Sequence, residues 1–211
     1  AGLELPYTIN AIALNQCGQS LLTHGTEAQR QKFLPGALAC EDIWCMLFSE
    51  PSGGSDLGGL RATAKRDGDH YIVNGHKIWT SVADEASVGV LVARTDPSKP
   101  KHMGLSVFLI DMNSPGVTVN PIIDMSGNKN EYNEVFLDNV KIPADALLGR
   151  EGDGWRIVME QLQTERVGMT KPGVVWGMGP TARDLMDGLI KTGRISDPLL
   201  RDDAAKVYIE G

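Results

Sequence analysis

The sequence is poor in the residues that staple or metallate a small fold. Three cysteines, Cys17, Cys40 and Cys45, stand in 211 residues. They are odd in number and form no C-x-x-C pair, so buried thiols in a reducing compartment are expected for all three, rather than disulfides or zinc. The four histidines, His24, His70, His76 and His102, lack metal-ligand spacing, which argues against a metal site. No apolar run approaches the roughly 20 residues needed to span a bilayer, and the opening residues show no charged leader followed by an apolar h-region. Positive charge is short too. The 20 Lys and Arg are outnumbered by 27 Asp and Glu, for a net charge of −7, and no basic block exists to hold a nucleic-acid backbone. Internal repeats and low-complexity tracts are missing as well.

What remains is a globular composition, 42% hydrophobic and 22% charged, with length for one large or two small domains. The chain is organised around residues 43–56, I-W-C-M-L-F-S-E-P-S-G-G-S-D. An apolar run of strand length passes directly into a turn of Ser, Gly and Pro, so a buried strand should deliver a polar loop to a fixed place. Ser49, Ser52 and Ser55 offer hydroxyls there. Gly53 and Gly54 leave backbone N–H groups open to a ligand rich in acceptors. No Lys follows the glycines, so the loop is not a nucleotide P-loop.

The flanking chain changes period three times. Apolar residues between Tyr7 and His24 fall near a 3.6-residue repeat and predict a helix stopped by Gly25. Thr26 and Gln29 have capping-box spacing and start a second helix, expected to fade before Pro35-Gly36. From about residue 43 to 140 the pattern is seven or eight short strands, a barrel or sandwich, with Asn74-Gly75 as a strong hairpin signal and residues 88–94 buried. Beyond Gly149, Trp155, Val158, Met159 and Leu162 mark a helix face. Breaks are expected at Pro172 and Gly179-Pro180, and Asp197-Pro198 should open a last helix. An opening helix without partners and an abrupt last helix suggest a piece of a longer protein, cut at both ends.

Helices, a small β domain, then helices, with the S-E-P-S-G-G-S-D loop and N-G-H-K-I-W-T-S at residues 74–81, resemble the acyl-CoA dehydrogenase family of flavoproteins. Pro115-Gly116-Val117, V-F-L-D-N-V-K-I-P at residues 135–143, and G-D-G-W leading to T-E-R support the likeness. The resemblance implies an α+β, multi-domain fold: the end of an N-terminal helical domain (1–42), a middle antiparallel β-barrel (43–150), and the start of a C-terminal helical bundle (151–211).

It also implies FAD as cofactor, held by Met46, Leu47, Phe48, Ser49, Gly54, Ser55, Trp79, Thr80 and Ser81. Backbone groups at Phe48 and Ser49, with the Ser49 hydroxyl, would bond the pyrimidine edge of the flavin. Trp79 would lie against the ring, and Thr80 and Ser81 would stand near its reactive nitrogen. Ser55 and Arg166 would bind an acyl-CoA substrate. The activity implied is α,β-dehydrogenation to a trans-2-enoyl-CoA, with electrons passed to an electron-transfer flavoprotein or similar acceptor. A tetramer or dimer, of one or two kinds of subunit, is implied, in a bacterial cytoplasm or mitochondrial matrix. Same-fold alternatives are an acyl-CoA oxidase, a flavin monooxygenase, or a non-catalytic subunit of a mixed oligomer. Glu210, in R-D-D-A-A-K-V-Y-I-E-G, echoes the segment that carries the family's base. It lies too soon after Arg166, so the base is expected downstream of Gly211 and the chain alone inactive. Met46 and Ser52 replace a tyrosine and a glycine of the family pattern, and Ser49 and Ser81 stand where threonine is common.

Overall fold

The computed structural model describes residues 10–129, 131–169 and 181–210, the side chains of 167–169 and Glu210 excepted. The chain forms two compact units, Ala1–Leu162 and Gln163–Gly211.

The first unit opens with a π-helical stretch, Ile12–Cys17, that continues as helix α1, Gly18–His24; the expected start at Tyr7 lies outside the described residues. Helix α2, Glu27–Ala39, begins with the predicted capping box: Thr26 Oγ1 accepts from Gln29 N–H at 3.2 Å, and Gln29 Oε1 accepts from Thr26 N–H at 2.9 Å. It does not fade before Pro35, as the sequence suggested, but runs through it to Ala39. The carbonyl robbed of its donor is that of Gln31, an exposed residue that water can serve. The real stop is Cys40, in the left-handed region at φ 56°. The Gly36 carbonyl there accepts from the N–H groups of Glu41 and Asp42 at 2.9 and 3.1 Å. Buried Asn10 then ties the parts together. Its amide donates to the carbonyls of Ala37 (3.0 Å) and Asp42 (2.8 Å), and its oxygen accepts from Trp44 N–H (3.2 Å).

Eight strands follow: β1 (Trp44–Leu47), β2 (Thr63–Asp67), β3 (His70–Ser81), β4 (Val88–Arg94), β5 (Leu105–Asp111), β6 (Val117–Ile122), β7 (Tyr132–Pro143) and β8 (Leu147–Leu148). They form one sheet in the order β6-β7-β3-β2-β4-β5-β8, with β1 paired to β4. The expected antiparallel barrel is corrected in two respects. The sheet is not closed, and β4 pairs in parallel with both β1 and β2. Strand β4 carries β1 along Val88 to Leu91 and meets β2 only at Arg94, so one edge is shared by two strands. The chain between them, residues 48–62, is thereby thrown out of the sheet.

The hairpin expected at Asn74-Gly75 is also absent. Strand β3 runs through both residues; the turn that Asp67-Gly68 marks in the sequence is present between Asp67 and His70, where Gly68 adopts φ 62°. Asn74-Gly75 marks a bulge against β7: Asn74 Oδ1 accepts the N–H of Asn139, itself at φ 50°. Glycine is needed because a Cβ at residue 75 would meet the Ala62 Cβ at 2.5 Å.

Strands β4 and β5 are apolar on both faces because both faces are buried. Val88, Val90, Val92, Val107 and Leu109 pack with Trp44, Leu21 and Ile157 in one core. Leu91, Ala93, Phe108 and Ile110 join Tyr71, Val135 and Ile142 in the other. The cysteine expectation needs amendment: Cys17 and Cys45 are buried, but Cys40 is only partly so, because it sits in the turn that ends α2.

Helix α3, Gly154–Met169, carries Trp155, Val158, Met159 and Leu162 as predicted. The second unit contains helices α4, Ala182–Lys191, and α5, Pro198–Glu210. Thr181 and Asp184 form a capping box on α4, and Asp197 Oδ1 accepts Leu199 N–H at 2.9 Å at the head of α5. The breaks expected at Pro172 and Gly179-Pro180 lie outside the described residues.

Candidate functional site

Strand β1 alternates as its apolar run dictates: Trp44 and Met46 face one core, Cys45 and Leu47 the other, and Phe48 continues into the first. Leu47 and Phe48 thus give their side chains to the interior, leaving only main chain to meet a ligand. Past Leu47 the parallel ladder stops. The bond due next in a parallel ladder, from Ser49 N–H to the Val92 carbonyl, is not made; that carbonyl and the Phe48 carbonyl accept from Lys77 Nζ, at 2.9 and 3.1 Å.

Lys77, wholly buried, takes Glu50 Oε1 as its third acceptor at 2.9 Å. Three acceptors satisfy the three donors of an ammonium. Glu50, also buried, accepts from Arg61 N–H (2.6 Å) and Ala62 N–H (2.9 Å), so its carboxylate closes the ejected loop on itself. Burial pulls the Lys77 pKa down to about 8, against the opposing charge of Glu50. Burial pushes the Glu50 carboxyl up, but Lys77 and the two amides outweigh it and hold it below its ordinary value. Sequence reasoning passed over both residues. The signal was a lysine at an inward position of β3, two residues before Trp79, and a glutamate abutting an apolar strand.

From Phe48 the chain leans on β3. Ile78 N–H donates to the Ser49 carbonyl at 3.0 Å, so the two motifs singled out in the sequence meet main chain to main chain. A two-residue turn reverses the loop next, Glu50 and Gly53 exchanging backbone bonds of 3.0 and 2.9 Å. This brings Gly54 back to Ser49, whose Oγ would lie 3.6 Å from a Cβ at residue 54. Ser52, Gly54 and Ser55 are exposed.

On the β3 side, Lys77 opposes Val135 and Thr80 opposes Asn133, so Ile78 and Trp79 together face Glu134 alone. Trp79 occupies the bulge at φ 60°, a region β-strand residues avoid. The bulge turns its indole out. The side chain is 59% exposed although its edge approaches the Tyr132 ring, with centroids 6.1 Å apart. Thr80 is buried, and its Oγ1 has no hydrogen-bond partner among the described residues. Ser81 is half-buried opposite Tyr132. Underneath, buried Gln161 of α3 donates to Cys17 Sγ (2.7 Å) and Met46 Sδ (3.4 Å).

Met46, Leu47, Phe48, Ser49, Gly54 and Ser55 therefore lie along one edge, and Trp79, Thr80 and Ser81 along the strand that edge joins. Arg166 is exposed on α3, within the second unit. A cavity of about 510 Å³ bordered by Thr26, Gln29, Lys32, Asp111 and Pro143 includes none of these residues.

Residues 45–140 match the family described as acyl-CoA dehydrogenase, middle domain. Among curated relatives, acyl-CoA dehydrogenase IpdE1 of Mycobacterium tuberculosis is 35% identical over 208 residues, 99% of this chain and 54% of that protein. Acyl-CoA dehydrogenase FadE34 of the same organism is 45% identical over 150 residues, 71% of this chain and 21% of that protein. The crystal structure of an acyl-CoA dehydrogenase from Geobacillus kaustophilus superposes with a TM-score of 0.77 at 30% identity, covering 94% of this chain and 54% of that one. The chain thus spans about half or less of the length of these relatives.

Proposed function

The chain belongs to the acyl-CoA dehydrogenase family, and from that premise we propose that its β1–β3 edge is the ring-binding wall of an FAD-dependent enzyme that oxidises acyl-CoA thioesters between the α and β carbons. The observation that carries the reading is the bond from Ile78 N–H to the Ser49 carbonyl, which holds the polar loop against the bulge that turns out Trp79.

The residues fit a planar, polar-edged group. Trp79 offers an exposed aromatic face at a backbone angle that only an over-determined site maintains. Thr80 Oγ1 is a buried hydroxyl without a partner among the described residues, and such a group is stabilised when a ligand atom completes it. Gly54 leaves the Ser49 hydroxyl uncovered. FAD bound there supplies a two-electron acceptor for hydride. The chain's own part is to orient and to exclude water. Ser49 would present N–H and hydroxyl to the pyrimidine edge, Trp79 would cover the ring, and Thr80 and Ser81 would supply hydroxyls to its nitrogen. Ser55 would bind the thioester substrate, and Arg166, taken by itself in the second unit, is a second candidate for that role. The product is a trans-2-enoyl-CoA, and the electrons leave through a flavoprotein acceptor.

The group that removes the α-proton is assigned to no side chain described. Glu210, whose side chain lies outside the described residues, follows Arg166 too closely in sequence to be that base. The 211-residue chain should therefore show no acyl-CoA turnover.

The test is direct. Protein incubated with FAD and passed over a desalting column should keep the visible flavin bands, and Trp79→Ala should weaken retention by about tenfold, the loss expected of one stacked aromatic contact in a ligand site. Loss of all flavin from the unmodified protein would overturn the reading. Acyl-CoA turnover by this chain that vanished in Glu210→Gln would overturn the assignment of the base.

A further inference from the structure

We infer that Lys77, held in place by Glu50, is the positioning residue of the ring-binding edge: by drawing the Phe48 carbonyl inward it turns the Ser49 amide N–H outward to the bound ring. The inference rests on the reading of that edge given above and names what builds it.

The chemistry follows from peptide geometry. No cis bond occurs among the described residues. In a planar trans peptide the carbonyl of one residue and the N–H of the next point in opposite directions. The Phe48 carbonyl points at Lys77 Nζ, 3.1 Å away, so the Ser49 N–H points away from it. That N–H has no partner among the described residues. The Ser49 carbonyl is fixed independently by Ile78 N–H. Both peptide planes flanking Ser49 are therefore set, one by an ammonium and one by the neighbouring strand. A free donor results, aimed by its own backbone.

Lys77 also does something that an ordinary buried ion pair does not. Phe48 and Val92 are the next register pair of the β1–β4 ladder after Leu47 and Leu91. The ammonium takes the Val92 carbonyl, to which Ser49 N–H would donate if the parallel ladder ran on, and so ends the ladder at that point. It works as a wedge that releases β1 from β4 and lets it lean on β3. Glu50 completes the wedge from the loop side, its carboxylate gathering Lys77 and the amides of Arg61 and Ala62. Buried ion pairs are weak evidence for stability, since desolvation offsets their attraction. What sets this pair apart is where its third donor goes. A charge-assisted bond to the Phe48 carbonyl also polarises the peptide, making Ser49 N–H a stronger donor to the part of a ring that gathers negative charge on reduction.

The experiment uses the FAD-loaded protein and the double variant Lys77→Met/Glu50→Gln, which removes both charges at nearly constant volume. The variant should fold, bind FAD at least about tenfold more weakly, as expected for loss of one charge-assisted bond, and show a more negative flavin midpoint potential. Asn10→Ala, which loosens the fold away from the edge, should lower the melting temperature and leave the potential unchanged. In the unmodified protein, FAD should slow hydrogen exchange at the Ser49 amide. That measurement decides the matter if the double variant fails to fold. Unchanged exchange at Ser49, or a folded double variant with unaltered FAD affinity and potential, overturns the role of Lys77 and leaves the ring-binding reading standing. An unmodified protein that holds no FAD overturns both.

Discussion

At the scale of single residues, the buried carboxylate of Glu50 governs behaviour in acid. Its pKa in the folded protein lies below the ordinary 4.5. The native state therefore holds fewer protons than the unfolded chain through that window. Stability from this group is complete above the unfolded value and is lost as pH falls through the lower folded one. Glu50→Gln should abolish that part of the acid slope. It should also cost about 3–5 kcal/mol at neutral pH by leaving the Lys77 ammonium buried and unpaired. Urea midpoints of both proteins between pH 3 and 7, about the range over which a carboxyl titrates, check this; parallel curves would refute it. The thiols give a second prediction. Burial pushes Cys45 up to about 12, whereas Cys40 is partly exposed at the end of α2. Alkylation of the folded protein at about pH 8, near the ordinary thiol pKa, should modify Cys40 and spare Cys17 and Cys45 until denaturant is added. Mass spectrometry of the peptides would show otherwise if Cys45 reacted at a similar rate. Sequence reasoning treated the three thiols alike because exposure of Cys40 depends on where α2 stops, and Pro35 was a misleading marker for that.

At the scale of elements, local chemistry was legible wherever a side chain bonds its own neighbourhood. The Thr26 capping box and the Asp197 cap lie where spacing put them, since each needs only residues two or three positions apart. Asn74-Gly75 failed as a hairpin for the opposite reason. Both residues answer to distant chain: Asn74 to the bulge at Asn139, Gly75 to the backbone of Ala62. A turn signal and a bulge signal use the same residue types, and only the partner strand distinguishes them. The Lys77–Glu50 pair escaped notice on similar grounds, its members standing 27 residues apart. Gly75 tests this account of β3. A Cβ there would also touch the Ala62 Cα at 3.0 Å, beside the amide that Glu50 accepts. Gly75→Ala should lower stability by about 1–3 kcal/mol, the range for overpacking, and weaken FAD binding because Ala62 must retreat from the carboxylate. A denaturant midpoint equal to that of the unmodified protein would show that the close approach is not required.

At the scale of the molecule, strand number and the helix-sheet-helix order could be read from periodicity, but closure of the sheet could not. Whether eight strands close depends on register and on long-range pairing, and here β4 spends one edge on two parallel neighbours that no local pattern announces. The consequence is an uneven division of the apolar interior. Both cores are built from residues up to Val158, while in the second unit only Ala182 and Ala204 are buried hydrophobics among the described residues, and Leu199, Ile209 and Tyr208 are exposed. A segment that short does not bury enough surface to order itself alone, whereas the first unit already contains both cores and both edges of the proposed ring site. A chain ended after Met169, which keeps α3 whole, should therefore retain a cooperative thermal transition by near-ultraviolet circular dichroism and the same affinity for FAD as the 211-residue protein, within about threefold, less than the loss of one hydrogen bond. Broad, non-cooperative melting of the shortened chain would mean that residues 181–210 contribute to its core. Cooperative melting with loss of flavin binding would mean instead that the β1–β3 edge is insufficient to hold the ring.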